Sequence, residues 1–258
     1  MTDHQDSSPE GGDSATPATT KPDFPFYNGV PVLITGGRWL VVVAACVVSF
    51  LVLVLLPIPG MFGQWMRAIL FPAIPLAALA WAAPKGWTAV FRRVRVRDVG
   101  WMFAFAALNI AVSFAVAIPI KGLLGAEANP AGGILANLDT AGRVSFYLAT
   151  IPQLLGEEVV TILPLLALLY AFTAKLGWSR RVSVIVAWLA TAITFGAMHL
   201  PTYNWNFVQC FLIIGVARLM LSLAYLWTKN LWVSTGAHII NDWVLFSIPL
   251  ILAPALIA

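Results

Sequence analysis

Residues 146–174 read FYLATIPQLLGEEVVTILPLLALLYAFTA. The run is long enough to cross a bilayer as one helix, because the hydrocarbon core needs about 20 apolar residues at a rise of about 1.5 Å each. Two adjacent acids, Glu157 and Glu158, stand in its middle. An ionised carboxylate at the centre of a membrane costs several kcal/mol on insertion scales. Such a pair persists only where it faces a protein or water-filled interior and finds partners. The apolar segments offer few: His199, His238, Asp242 and Arg218.

The rest of the chain agrees with a membrane setting. Hydrophobic residues make up 60% of the sequence and charged residues 10%, against about 25% charged in a soluble domain. The expected fold class is all-α, a polytopic membrane helical bundle of about seven, or eight, transmembrane helices. Strand alternation is absent, which argues against a β-barrel. The formal charge of +4 does not indicate nucleic acid, because the Lys and Arg residues sit in short loops where they set topology. Cys46 and Cys210 fall inside apolar segments and read as packing residues.

Residues 1–28 are rich in Ser, Thr, Asp, Gly and Pro and are expected to be a disordered tail. No basic n-region precedes an apolar core there, so the tail does not read as a signal peptide. Residues 29–258 are expected to form one membrane-embedded domain, with the polar residues of interest at about 146–245. Seven spans are expected near 38–58, 64–83, 100–120, 146–173, 181–200, 207–228 and 231–256. Pro152, Pro164, Pro249 and Pro254 are candidate kinks. The basic residues of 84–99, of 175–181 and at Lys229 fall on one side in this scheme. That side should be cytoplasmic, with the N-terminus inside. The short loops suggest a bacterial plasma membrane.

Spacing places the polar residues on faces. Gln153, Glu157 and Thr161 share one face, and Glu158 projects about 100° away. Thr191, Phe195 and His199 share another. Ser234, His238 and Asp242 share a third, and His and Asp at that spacing can hold one metal ion or one water between them. Arg218 lies about eleven residues into its span, at a depth similar to Glu157, and reads first as a structural counter-ion. Asn109 reads as a contact between helices. Acid, imidazoles and a cation on separate helices compose a hydrolytic site: a carboxylate to take a proton from water, and imidazoles to bind metal or steady an oxyanion. Depth is the difficulty. His199 ends its span at the outer face, whereas His238 lies about 10 Å from the inner end of its own.

These residues resemble the CPBP family of intramembrane proteases, related to the CAAX prenyl endopeptidase and to bacteriocin self-immunity proteins. The family pattern is two adjacent Glu with an Arg four residues after the second, then Phe-x-x-x-His, then His-x-x-x-Asn or Asp. This sequence carries Glu157-Glu158, Phe195-Gly-Ala-Met-His199 and His238-Ile-Ile-Asn-Asp242. The Arg position is Ile162, and Arg218 is the candidate replacement. The resemblance implies Glu157 as general base, Glu158 as its support, and His199, His238 and Asp242 as catalytic groups. The same three would be the metal ligands, with zinc as the ion in one reading and metal-independent catalysis in the other. It further implies an endopeptidase acting on a peptide or membrane-protein substrate at the lipid bilayer. HExxH, GxSG and GxGD motifs are absent. Two rival classes are a non-catalytic scaffold or regulator of the same family, and a proton- or cation-coupled transporter.

Overall fold

The computed structural model describes residues 23–252, and among these the chain is helical throughout, without strands. Eight α-helices follow in order: α1 Gly36–Leu55, α2 Gly60–Ala82, α3 Val96–Leu124, α4 Pro130–Ala136, α5 Thr140–Tyr170, α6 Arg180–Met198, α7 Gly215–Thr228 and α8 Leu231–Leu252. A π-helical turn, Ala171–Lys175, extends α5, and another, Gln209–Ile214, leads into α7.

Polar side chains set the helix ends. Asp139 accepts from the Gly142 amide at 2.8 Å and starts α5. Ser179 does the same for α6 through the Val182 amide. Such caps satisfy backbone donors that have no partner inside the helix. Asn129 caps α4, with Pro130 in the first helical position, where a missing amide hydrogen does no harm. Lys229 stops α7 by turning left-handed at φ 54°. The prolines at 152, 164 and 249 lie inside helices that run on through them.

The helix α5 is the axis of the bundle. It packs against α1, α2, α6 and α8, while α3 packs on α7 and α8. Burial separates the two: 67% of the α5 apolar segment is inside the protein, against 11% for α3. Leu163, Leu165, Leu166 and Leu169 of α5 are fully buried with Phe71, Leu79 and Val159. Burying each such side chain stabilises the fold by about 1.5–3 kcal/mol. Gly156 permits the close approach of α2, because a Cβ there would collide with the Phe71 ring. The residue before the Glu pair is thus small so that α2 can lie directly against it.

Six of the eight helices are long and apolar enough to cross a membrane among the described residues. They correspond to the first six expected spans, with ends moved by a few residues. The seventh expected span, 231–256, is present as α8, but it is not in that set. Its Ser234, Thr235, His238 and Asn241 are buried. Residues 253–256 of that span, and Pro254 with them, lie outside the described residues. The short helix α4, against α8, is an element that the spans did not include.

Of the residues expected as a tail, 1–28, those at 23–27 pack on the bundle. Phe24 and Phe26 are 4% and 0% exposed, and residues 1–22 of that expectation lie outside the described residues. Asp23 pairs with Arg180 at the start of α6, and Arg92 donates to the Asp23 carbonyl at 3.0 Å. Phe24 packs on Tyr225 near the end of α7, with the Lys229 ammonium over its ring. Phe26 meets Trp39 edge-on in α1. Two aromatic side chains therefore anchor this segment across the ends of α1, α6 and α7, and polar composition around them concealed it.

Candidate active site

The two adjacent acids of α5 have different surroundings. Glu158 has a fully buried side chain, and its Oε1 lies 2.6 Å from Arg218 Nη1. The same oxygen accepts from His238 Nδ1 at 2.9 Å. Glu157, about 100° round the helix, keeps 14% of its side chain exposed. Its Oε1 is 3.3 Å from the Gln153 amide nitrogen, one turn back on the same face. Its Oε2 faces His238 Nε2 at 3.7 Å. One carboxylate is held by a cation and an imidazole; its neighbour is reachable and only loosely engaged.

Arg218 is itself fully buried on α7. Its Nε donates to Ser222 Oγ at 3.1 Å, one helical turn on, and its guanidinium lies 5.1 Å above the Phe195 ring. A buried carboxylate and a buried guanidinium are tolerated because each supplies the other's counter-charge. In sequence Ile162 occupies the Arg position of the family pattern, and it is fully buried among the leucines of α5. The cation against the Glu pair comes from a different helix.

His238 on α8 joins three carboxylates. With Nδ1–H given to Glu158, Nε2 faces Glu157 and, at 3.6 Å, Asp242 Oδ1. Asp242 also accepts from Asn241 Nδ2 at 2.9 Å. His238 sits eight residues into α8, yet the helix does not begin at a surface. Asn230 and Leu231 are 2% and 0% exposed, and Asn230 exchanges hydrogen bonds with the Arg92 backbone. From there His238 meets the middle of α5 through Glu158.

His199 caps the end of α6. Its Nδ1 lies 2.8 Å from the Phe195 carbonyl, so that nitrogen carries the hydrogen and Nε2 is left free. The ring lies between Phe195 and Tyr203, with centroids 4.6 and 6.4 Å away. Gly196 lets the π-helical turn before α7 approach α6 here, since a Cβ would stand 2.6 Å from the Cys210 carbonyl oxygen. Tyr203, in the turn after α6, is buried, and burial followed by the charge of Asp242 pushes its hydroxyl up to about 12. The structure thus brings Glu157, Glu158, His238 and Asp242 together directly. His199 stands beside them, linked through Phe195 to the guanidinium of Arg218.

The expected metal ligands His199, His238 and Asp242 are not assembled as a set. Among the described residues no three His, Cys, Asp or Glu side chains are grouped to hold a metal ion. Carboxylates face both ring nitrogens of His238, and Nδ1 of His199 is tied to its own helix. Ser222, Asn241 and Tyr203 were not among the expected site residues. Ser222 carries a legible signal, its i+4 spacing from Arg218; the other two become visible only when helices and turns are packed.

Residues 140–244, which include every motif above, match a family described as Rce1-like, the type II CAAX prenyl endopeptidase Rce1-like proteins. No curated protein and no solved structure matches the chain.

Proposed function

We propose, from the premise that residues 140–244 are an Rce1-like segment of the CAAX-protease-like family, that this integral membrane protein is an endopeptidase in which Glu157 activates water directly. The observation that carries the reading is the division of the Glu pair: Glu158 is fully buried with its Oε1 engaged by both Arg218 and His238, whereas Glu157 is accessible. Fixed groups around one reachable carboxylate are what a general base needs.

The chemistry follows from the distances. Glu157 Oε2 and Asp242 Oδ1 stand 3.7 and 3.6 Å from His238 Nε2. Those gaps are long for direct hydrogen bonds and suit one bridging water. Glu157 would take a proton from that water as its oxygen attacks the peptide carbonyl carbon. The carbonyl oxygen becomes an oxyanion, and His199, beside the site, is the proposed group to steady it. Collapse breaks the C–N bond, and the proton on Glu157 passes to the leaving amine. Arg218 touches no reacting atom. It holds Glu158, which in turn holds the imidazole through Nδ1.

The substrate is proposed to be a peptide or membrane-associated protein whose scissile bond reaches the level of Glu157. The basic residues share one end of the bundle: Arg92 and Arg180 both contact Asp23, and Lys229 lies over Phe24. This supports a cytoplasmic placement of that end, and of the N-terminal segment, in a bacterial plasma membrane.

The test is hydrolysis of a panel of quenched fluorescent peptides by purified protein in detergent. For a cleaved peptide, Glu157→Gln should lower kcat by roughly 10²–10⁴-fold, and a chelator should leave the wild-type rate unchanged. Wild-type turnover by Glu157→Gln would overturn the assignment. Loss of activity on chelation, restored by zinc, would replace the direct mechanism with a metal-assisted one.

A further inference from the structure

A run of buried amides leads from α3 to Asp242, apart from the Glu pair and its cation. Asn109, 1% exposed, donates from Nδ2 to Asn241 Oδ1 at 2.9 Å. Asn241, 3% exposed, donates from Nδ2 to Asp242 Oδ1, also at 2.9 Å. That oxygen is the one facing His238 Nε2 at 3.6 Å. The carboxylate sets the direction of the run. Where that oxygen accepts, Asn241 offers it the NH₂ group and turns its carbonyl to Asn109, as the two bonds describe. Asn109 must then donate to Asn241 and leave its own carbonyl to Ser113 Oγ, which lies 3.5 Å away.

We propose that Asn109 and Asn241 are positioning residues of the active site, which fix the Asp242 carboxylate against His238 and so hold the imidazole edge toward Glu157. The proposal rests on the endopeptidase reading above. It extends the working site to α3, outside residues 140–244. A mere packing contact would be served by any two polar groups satisfying one another. Here both amides are oriented, each by its neighbour, and the last bond ends on a carboxylate. Without Asn109, Asn241 has a buried carbonyl with no donor, and its amide can swing away from Asp242.

The experiment compares wild type, Asn109→Leu and Asn109→Ser in detergent. Leucine has a similar size and no hydrogen bond; serine is polar and too short to reach Asn241, and replaces leucine if that variant does not fold. The first measurement is the infrared carboxylate stretch of protein labelled with ¹³C-aspartate, with the Asp242→Asn spectrum subtracted to isolate Asp242. The second is the pH profile of kcat and KM on a cleaved peptide. The expected result is a displaced Asp242 band, a kcat lowered about tenfold as for one lost hydrogen bond to a charged group, a KM within about twofold, and a moved pH–rate midpoint. A folded variant with an unmoved Asp242 band overturns the proposal, whatever its activity. A moved band in a protein that cleaves no peptide supports the positioning and counts against the endopeptidase reading instead.

Discussion

Replacing Arg218 by Leu removes the only cation within 2.6 Å of a fully buried carboxylate, that of Glu158. His238 Nδ1 stays at 2.9 Å as the remaining partner. Breaking a buried ion pair from one side costs about 3–5 kcal/mol, because the surviving charge is left desolvated. At about 2–4 °C per kcal/mol for a protein of this size, the midpoint of thermal unfolding should fall by roughly 6–20 °C. Tryptophan fluorescence on heating in detergent measures this directly, since the chain has 11 Trp. Glu158→Gln alone should also destabilise, now by stranding the guanidinium. The double variant Arg218→Leu with Glu158→Gln should recover most of the loss, because no unpaired charge remains. It should not recover hydrolysis. Arg218→Leu with Ile162→Arg places a cation one helical turn from Glu158 and should restore part of both stability and activity. Additive losses in the double variant, or a fall below about 2 °C for Arg218→Leu, would refute the idea that this pair holds the site.

Gly156→Ala should destabilise by about 1–3 kcal/mol, the range for overpacking, and Phe71→Leu on the same chain should relieve part of it; thermal midpoints of the three proteins decide this. The Lys229 amine is pushed down to about 8, first by burial and then by the charges of Arg180 and Arg92. Between about pH 8 and the ordinary lysine range of about 10.4 the unfolded chain binds more protons than the folded one, so stability should rise with pH there. Lys229→Met should flatten that rise in midpoints measured from pH 7 to 10.

The helical fold and the presence of a polar site were legible because both depend on local pattern. Apolar length declares a span, and two acids inside one declare a buried function. His238 and Asp242 were legible as a pair because i and i+4 share a face in any α-helix. The resemblance assigned separate roles to Glu157 and Glu158, but residue pattern alone did not say which of them is buried against Arg218. Neighbouring residues diverge by about 100°, and only packing decides which of them meets α7. For the same reason Arg218 could be matched to the Glu pair by depth, but not to Glu158 in particular. Asn109 read as a contact between helices, and it is one; its direction emerges only when Asn241 and Asp242 are set beside it. The apparent mismatch in depth between His199 and His238 came from assuming that every helix begins at a membrane surface. His238 nevertheless reaches Glu158 of α5 at 2.9 Å.

The contact between Asp23 and Arg180 joins residues 157 positions apart. During synthesis the segment around Phe24 and Phe26 leaves the ribosome long before α6 and α7 exist to receive it. Phe26 can meet Trp39 once α1 is made, but Phe24 must wait for Tyr225 of α7. Closing so long a loop is among the slowest kinds of contact to form. The first described residues of the chain are therefore among the last to settle, and their docking reports that the helices carrying Arg218 and His199 are already in place.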